Sequence, residues 1–235
     1  MHKKTKIVCT LGPASDSISE ITSLVHAGMN VARLNFSHGS YEHHAKLIKN
    51  IHEVEKITGK TIGILQDLQG PKIRLGELPE EGIKIVKGET FTLTAEKIKG
   101  KRENKKIIIP LLYQKLINNL KKDDQILLND ALIQAKIISK SGKNATCIMQ
   151  CGGILKSHMG ISFPKSTITL PAITTKDKQD LEFGLKHNVD YVALSFVKAA
   201  KDIEQLRKLI ENHKKQTKII AKIERHEAVK NLEEI

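Results

Sequence analysis

Six ionisable side chains stand at or just after short β-branched runs and could together handle an anionic substrate: Arg33, Asp67, Lys72, Arg74, Lys222 and Glu224. Cations on one rim can neutralise phosphoryl oxygens, and a carboxylate among them can hold magnesium. The segment Asn35-Phe-Ser37-His38-Gly39 adds amide, hydroxyl and imidazole groups. Each has a plainer reading as well. Lys222-Ile-Glu224 also suits a structural ion pair, Asn35 and Ser37 a turn, and His38 an ordinary loop position. The case for chemistry is convergence, because ligands of parallel α/β folds lie at the carboxyl ends of the strands. Ten histidines are present, but His2 and the His43-His44 pair lack matched carboxylates at metal-site spacing.

Five runs must position these groups: Lys6–Thr10, Asn30–Leu34, Thr61–Leu65, Tyr191–Ser195 and Lys218–Lys222. Near-continuous apolar strands of this kind suit a parallel sheet covered on both faces. Helical patterns lie between them. Asp16 or Ser17 can cap a helix carrying Ile18, Ile21, Leu24 and Val25, closed by Gly28. Leu47, Ile48, Ile51 and Val54 repeat at helical spacing up to Gly59. Leu181 and Leu185 mark a third helix, and Ile203, Leu206 and Ile210 a fourth. This βα alternation with right-handed crossovers predicts a parallel sheet.

The runs begin at residues 6, 30, 61, 191 and 218, so the intervals are 24, 31, 130 and 27 residues. The long interval holds an insert of roughly 100 residues, the size of a small domain. Residues 72–170 read as all-β, with short strands at Ile83–Val86, Thr90–Thr94, Lys106–Ile109, Gln125–Leu128, Gln134–Ile138 and Thr146–Gln150. The charged stretch 97–106 reads as a solvated loop. Setting the insert aside leaves room for about five β/α units, whereas a complete eightfold barrel takes about 250 residues.

Composition narrows the function. The chain has 235 residues and a net charge of +13, yet only five of its 39 basic residues are arginine, and aromatic residues make up 3% with no tryptophan. Readers of nucleic acid use arginine forks and stacking aromatics, so this charge points to attraction of anionic metabolites and no nucleic-acid partner. No apolar stretch has the length of a membrane helix and no secretory leader opens the chain. Cys9, Cys147 and Cys151 form neither zinc-type pairs nor a disulfide framework. A soluble, cytoplasmic protein is expected.

The blocks TKIVCTLGPAS, GMNVARLNFSHG, GILQDLQGPKIRLG, LPAITTKDKQDLEFG, VDYVALSFV and IIAKIERHEAV resemble the pyruvate kinase family in order and spacing, over the whole chain. The resemblance implies an α/β fold: the front part, five of eight β/α units, of a TIM-type barrel, interrupted after strand three by a small all-β lid. The expected domains are barrel residues 1–71, lid residues 72–170 and barrel residues 171–235. It implies phosphoryl transfer from phosphoenolpyruvate to ADP, giving pyruvate and ATP. Lys222 would neutralise the phosphoryl group in transit, and Arg33 would bind its oxygens with Arg74 near the lid hinge. Glu224 would be one of two carboxylate ligands of magnesium or manganese. Asn35, Ser37, Asp67 and Leu68 match the family's monovalent-cation site, His38 its nucleotide site, and Asp130 an acidic residue of a lid turn.

Two departures carry further expectations. The family's second magnesium carboxylate, in a Gly-Asp-Leu-Gly loop, has no match in this chain, nor do its last three β/α units. The 235-residue chain is therefore expected to be a truncated form, inactive alone, of an enzyme that forms homotetramers. Second, potassium-dependent members carry Thr-Lys-Gly-Pro-Glu after the residue matching Asp67, whereas this chain has Leu68-Gln-Gly-Pro-Lys72. Lys72 would supply a fixed ammonium in place of the free cation, so no potassium requirement is expected. The competing expectations are a non-catalytic anion-binding fragment and another enolate-forming barrel of the citrate lyase β kind.

Overall fold

The computed structural model describes residues 4–129, 131–164 and 171–235. The chain begins with β1 (Ile7–Leu11), α1 (Ile18–Ala27), β2 (Met29–Asn35), α2 (Tyr41–Thr58) and β3 (Gly63–Asp67). Nine strands follow: β4 (Ile83–Ile85), β5 (Thr90–Thr94), β6 (Lys101–Glu103), β7 (Lys106–Pro110), β8 (Gln125–Leu128), β9 (Ile133–Ser141), β10 (Asn144–Cys151), β11 (Gly153–Leu155) and β12 (Ile161–Ser162). The alternation then resumes with α3 (Thr175–Lys186), β13 (Tyr191–Leu194), α4 (Ala200–Asn212), β14 (Lys218–Ala221) and α5 (His226–Lys230). Two compact units result, Met1–Pro71 with Pro171–Ile235, and Lys72–Leu170.

In the first unit the strands form one parallel sheet in the order β1-β2-β3-β13-β14. Sequential order is what short βα crossovers of one hand produce. Helix starts are fixed locally: Ser17 accepts from the Glu20 amide, Ser40 from the His43 amide, and Thr174 from the Asp177 amide. A side-chain oxygen at each site satisfies a backbone donor that the helix itself leaves open.

Alternation along the strands divides the sheet into two faces. Leu34, Ile64, Val192 and Leu194 lie on the face that packs under the helices, in one core with Ile21, Leu47, Ile51, Leu181 and Leu206. The intervening positions, including Arg33, Asp67 and Ser195, share the opposite face. Here the expectation of two covered faces needs correcting. Leu65 and Ala193 are buried at the sheet centre, but Val8 on β1 and Ile220 on β14 are 51% and 40% exposed. Burial on that face fades towards the two edge strands, where no neighbouring strand shields the side chains.

The third strand begins two residues later than its apolar run, at Gly63 instead of Thr61. The Ile62 amide donates to the Glu55 carboxylate of α2 at 2.8 Å, outside the ladder. The shift makes Asp67 the last residue of β3.

The second unit is built on a seven-stranded sheet, order β12-β8-β9-β10-β5-β7-β6, and a β11-β4 pair. Its apolar core, with Leu75, Ile85, Leu93, Ile109, Leu116 and Ile137 among its members, is its own. The charged stretch 97–106 contains a hairpin, not only a solvated loop. Lys101–Glu103 pairs antiparallel with Ile108–Lys106, turning at Asn104 with φ of 52°. Arg102 anchors it, donating to both carboxylate oxygens of Glu89. Strands β11 and β12 were also invisible to periodicity, being three and two residues long.

Candidate active site

The carboxyl ends of β2, β3, β13 and β14 bring one constellation together. Asn35, Asp67 and Ala193 stand side by side in the ladder. Two residues before Asn35 is Arg33, and two after Ala193 is Ser195, so all point to the same face. The backbone ladder continues past the strands: the Phe36 amide donates to the Asp67 carbonyl, that of Leu68 to Ala193, and that of Lys222 to Leu194. Rigid neighbours thus fix the backbone beneath each charged side chain.

Asp67 is the hub. Its side chain is only 4% exposed. Arg33 Nε donates to Oδ2 at 2.8 Å, and Nη2 lies 2.6 Å from the same oxygen. Lys222 Nζ donates to Oδ1 at 3.2 Å. A carboxylate this buried is costly unless its charge is met, and here two cations meet it. Arg33 also donates to the Thr10 hydroxyl at 2.7 Å. Lys222 donates to Ser195 Oγ at 2.9 Å and lies 3.1 Å from Glu224 Oε1. The Glu224 Oε2 accepts from the Phe196 amide at 3.0 Å. Arg33 and Lys222 each keep 28% of the side chain exposed, so both cations can be reached from solvent.

Thr10, Ser195 and Phe196 join the site although their residue types gave no signal of it. Ser195 was legible only through register: it is buried, donates to the Leu68 carbonyl at 2.6 Å and accepts from Lys222. Phe196 has φ of +57°, a left-handed conformation costing about 1–2 kcal/mol for a residue with a Cβ. That conformation accompanies the aim of its amide at Glu224.

The other expected residues fall as follows. Asn35 Oδ1 accepts from the Ser37 amide at 3.1 Å, and the His38 amide donates to the Asn35 carbonyl, making a tight turn directly after β2. Lys72 and Arg74 belong to the second unit, where Arg74 Nη1 donates to the His158 carbonyl and Arg74 bridges to Gly160. Asp130 lies outside the described residues.

Among the described residues no group of three or more His, Cys, Asp or Glu side chains could hold a metal ion by itself. Glu224 nevertheless fits as a single oxygen ligand. Its carboxylate is 36% exposed, and magnesium commonly takes one or two carboxylates with water and substrate oxygens completing the shell. The candidate monovalent-cation oxygens, like those of Glu224, are engaged by protein donors. Asp67 already faces two protein cations, and Asn35 Oδ1 and the Leu68 carbonyl already accept from protein donors.

Comparison with known proteins gives the family. The family described as the pyruvate kinase barrel domain matches residues 2–235. The chain is 41% identical to pyruvate kinase of Geobacillus stearothermophilus over 239 aligned positions, covering 100% of this chain and 40% of that protein. It is 41% identical to pyruvate kinase of Staphylococcus epidermidis and 40% identical to that of Staphylococcus aureus strain MRSA252, covering 99% of this chain and 40% of each relative. The chain thus spans about two fifths of the length of the curated relatives it matches. Identity at this level along the entire chain, on a parallel sheet whose strand ends gather two cations around one buried carboxylate, makes it a member of the pyruvate kinase family.

Proposed function

We propose that this chain carries the phosphoryl-handling side of a pyruvate kinase, which transfers the phosphoryl group of phosphoenolpyruvate to ADP. The observation that carries the reading is the pair Arg33 and Lys222, held on Asp67 and still partly open to solvent. Phosphoryl transfer depends on positioning and charge neutralisation more than on covalent steps. Arg33 binds phosphoryl oxygens of the substrate, its guanidinium held by Asp67 and Thr10. Lys222 meets the charge of the group in transit, its ammonium held by Asp67, Ser195 and Glu224. Glu224 supplies one oxygen to magnesium or manganese, which when bound offsets charge on the carboxylate and enolate side. His38, on the turn after β2, serves the nucleotide side.

Potassium is not required on this reading. Arg33 and Lys222 already offset Asp67, and Lys72 adds an ammonium where potassium-dependent relatives carry glutamate. Residues 72–170 act as the lid of a TIM-type barrel whose first five strands are present, supported by the separate apolar core of that unit. Limited proteolysis should cut first near Pro71–Lys72, and early cuts within β8–β10 would contradict an autonomous lid. The enzyme is read as a cytoplasmic homo-oligomer. Among the described residues no helix is long and apolar enough to cross a membrane.

The test is a lactate-dehydrogenase-coupled assay of this chain and of a chain extended by three β/α units, run in potassium and in tetramethylammonium at equal ionic strength. Turnover in the extended chain, similar in both salts and lowered by Lys222→Met by roughly two to four orders of magnitude in kcat, is expected. No turnover with phosphoenolpyruvate and ADP in either chain would contradict the reading. Strong activation by potassium would remove its cation clause.

A further inference from the structure

Outside the charged rim, one polar network built on a buried carboxylate has no part in the chemistry so far assigned, its Lys176 side chain being half-exposed. Asp180, on α3, is 0% exposed. Its Oδ1 accepts from the Tyr41 hydroxyl at 2.8 Å, and its Oδ2 meets Lys176 Nζ at 2.5 Å. Lys176 then reaches off its own helix and donates to the Phe36 carbonyl at 2.8 Å. An ordinary i,i+4 pair on a helix surface involves neither a fully buried carboxylate nor a contact with a loop 140 residues away.

The second tether comes from α2. His44 Nε2 lies 3.0 Å from the His38 carbonyl, which can only accept, so Nε2 carries the proton. The ring is buried and stacks on Phe36, with centroids 4.1 Å apart and planes 10° apart. The carbonyls on either side of Ser37 are therefore each held by a side chain from a different helix. Inside the turn, the amides of Phe36, Ser37 and His38 are also paired, with Asp67, Asn35 Oδ1 and Asn35.

We propose that Lys176, Asp180 and His44 are positioning residues: they clamp the turn Asn35–Gly39 from the helix side, so that His38 meets the nucleotide from a preset backbone. The nucleotide part rests on the functional reading above; the clamp itself does not. Burying the carboxylate makes the device stiff. Lys176 cannot leave without stranding a charge in the interior, so the ammonium stays where it also binds the Phe36 carbonyl.

The test is amide hydrogen exchange by NMR on the 235-residue chain. Lys176→Met should speed exchange of the Phe36, Ser37 and His38 amides roughly ten- to hundredfold, the scale of one lost charge-assisted hydrogen bond, while Val31–Leu34 of β2 stay protected. Lys176→Arg should restore most of the protection. Because Lys176→Met leaves Asp180 unpaired and can unfold the chain, the double variant Lys176→Met/Asp180→Asn is measured beside it and should show the same local loosening. Unchanged exchange at residues 36–38, or a uniform rise through β2 in both variants, would overturn the clamp. ADP titrated into the labelled chain separates the second question: signals of His38 should move, and more weakly bound ADP is expected in the double variant. If ADP leaves His38 untouched in the unmutated chain, the nucleotide role falls and the exchange data still decide the clamp.

Discussion

Among the described residues, the β-rich unit buries a single polar side chain, Thr94, whereas the parallel unit buries four ionisable groups, His44, Asp67, Asp177 and Asp180. The β-rich unit leaves its charges on the surface, in pairs such as Arg102–Glu89 and Lys136–Asp123. Its interior is an apolar core. In the parallel unit the buried carboxylates sit at one end of the sheet, and each ties down a segment that follows a strand. Asp67 holds Arg33 and Lys222; Asp177 accepts from the Gly70 amide; Asp180 acts through Lys176 on Phe36. Burying charge is costly, and here that cost is concentrated at the strand ends. There it supplies fixed geometry for the loops that follow the strands.

The largest contrast is expected from removing one acid in each unit. Asp67→Ala leaves Arg33 and Lys222 facing each other without their counter-charge and should destabilise the parallel unit by about 3 kcal/mol, the lower end for a broken buried pair because both cations are partly solvated. Glu89→Ala breaks an exposed pair and should leave the urea midpoint unchanged within error. Equal effects of the two substitutions would erase the distinction between the units.

Two glycines sharpen the contrast at smaller scale. Gly70 follows β3 with φ of +66°, and a Cβ there would lie 3.0 Å from the Phe196 ring and 3.1 Å from Ser195 Cβ. Gly142, in the β9–β10 turn, has φ of +54° and nothing within 4 Å of the added atom. Gly142→Ala should cost about 1–2 kcal/mol, the left-handed conformation alone. Gly70→Ala should cost about 1–3 kcal/mol more, because the loop must move off Ser195 and Phe196. Thermal denaturation of the two variants gives the difference, and matching losses would show that the strand-end loop is not tightly packed.

The smallest effects lie in the pH dependence of the clamp. Burial and the Asp180 carboxylate push the Tyr41 hydroxyl up to about 12 from 10.0. As pH rises the unfolded chain loses this proton first, so stability present below pH 10.0 is lost towards about pH 12. Burial shifts His44 the other way, below its ordinary 6.5. As pH falls under 6.5 the unfolded chain takes up the proton first, so stability declines until the folded pKa is passed. Tyr41→Phe should flatten the alkaline limb and His44→Gln the acid limb of a stability profile. Limbs unaltered by either substitution would show that these groups titrate alike in both states.

Much of this arrangement was legible from residue order. The βα alternation gave the parallel sheet, and positions in or just after three of the runs gave Arg33, Asp67, Lys222 and Glu224 as neighbours. Three things were not legible. Ser195 and Thr10 are short polar residues whose role depends on cross-strand register, which periodicity within one strand does not contain. The hairpin at Lys101–Glu103 has three exposed residues and hence no apolar alternation to announce it. The Lys176–Asp180 network reads on the helix as an ordinary i,i+4 pair. Only the docking of α3 against the turn after β2 shows that Asp180 is buried and that Lys176 reaches Phe36.

The central claim is that Arg33 and Lys222 form one anion site at the carboxyl end of the parallel sheet. Calorimetric titration of phosphoenolpyruvate into the chain, the unmutated protein beside Arg33→Met, Lys222→Met and Arg102→Met, tests it most directly. Arg33→Met should weaken binding about tenfold or more, the scale of a lost charge-assisted contact, Lys222→Met should weaken it much less, and Arg102→Met in the β-rich unit should leave it unchanged. Equal affinity in all four proteins, or a loss confined to Arg102→Met, would contradict the account.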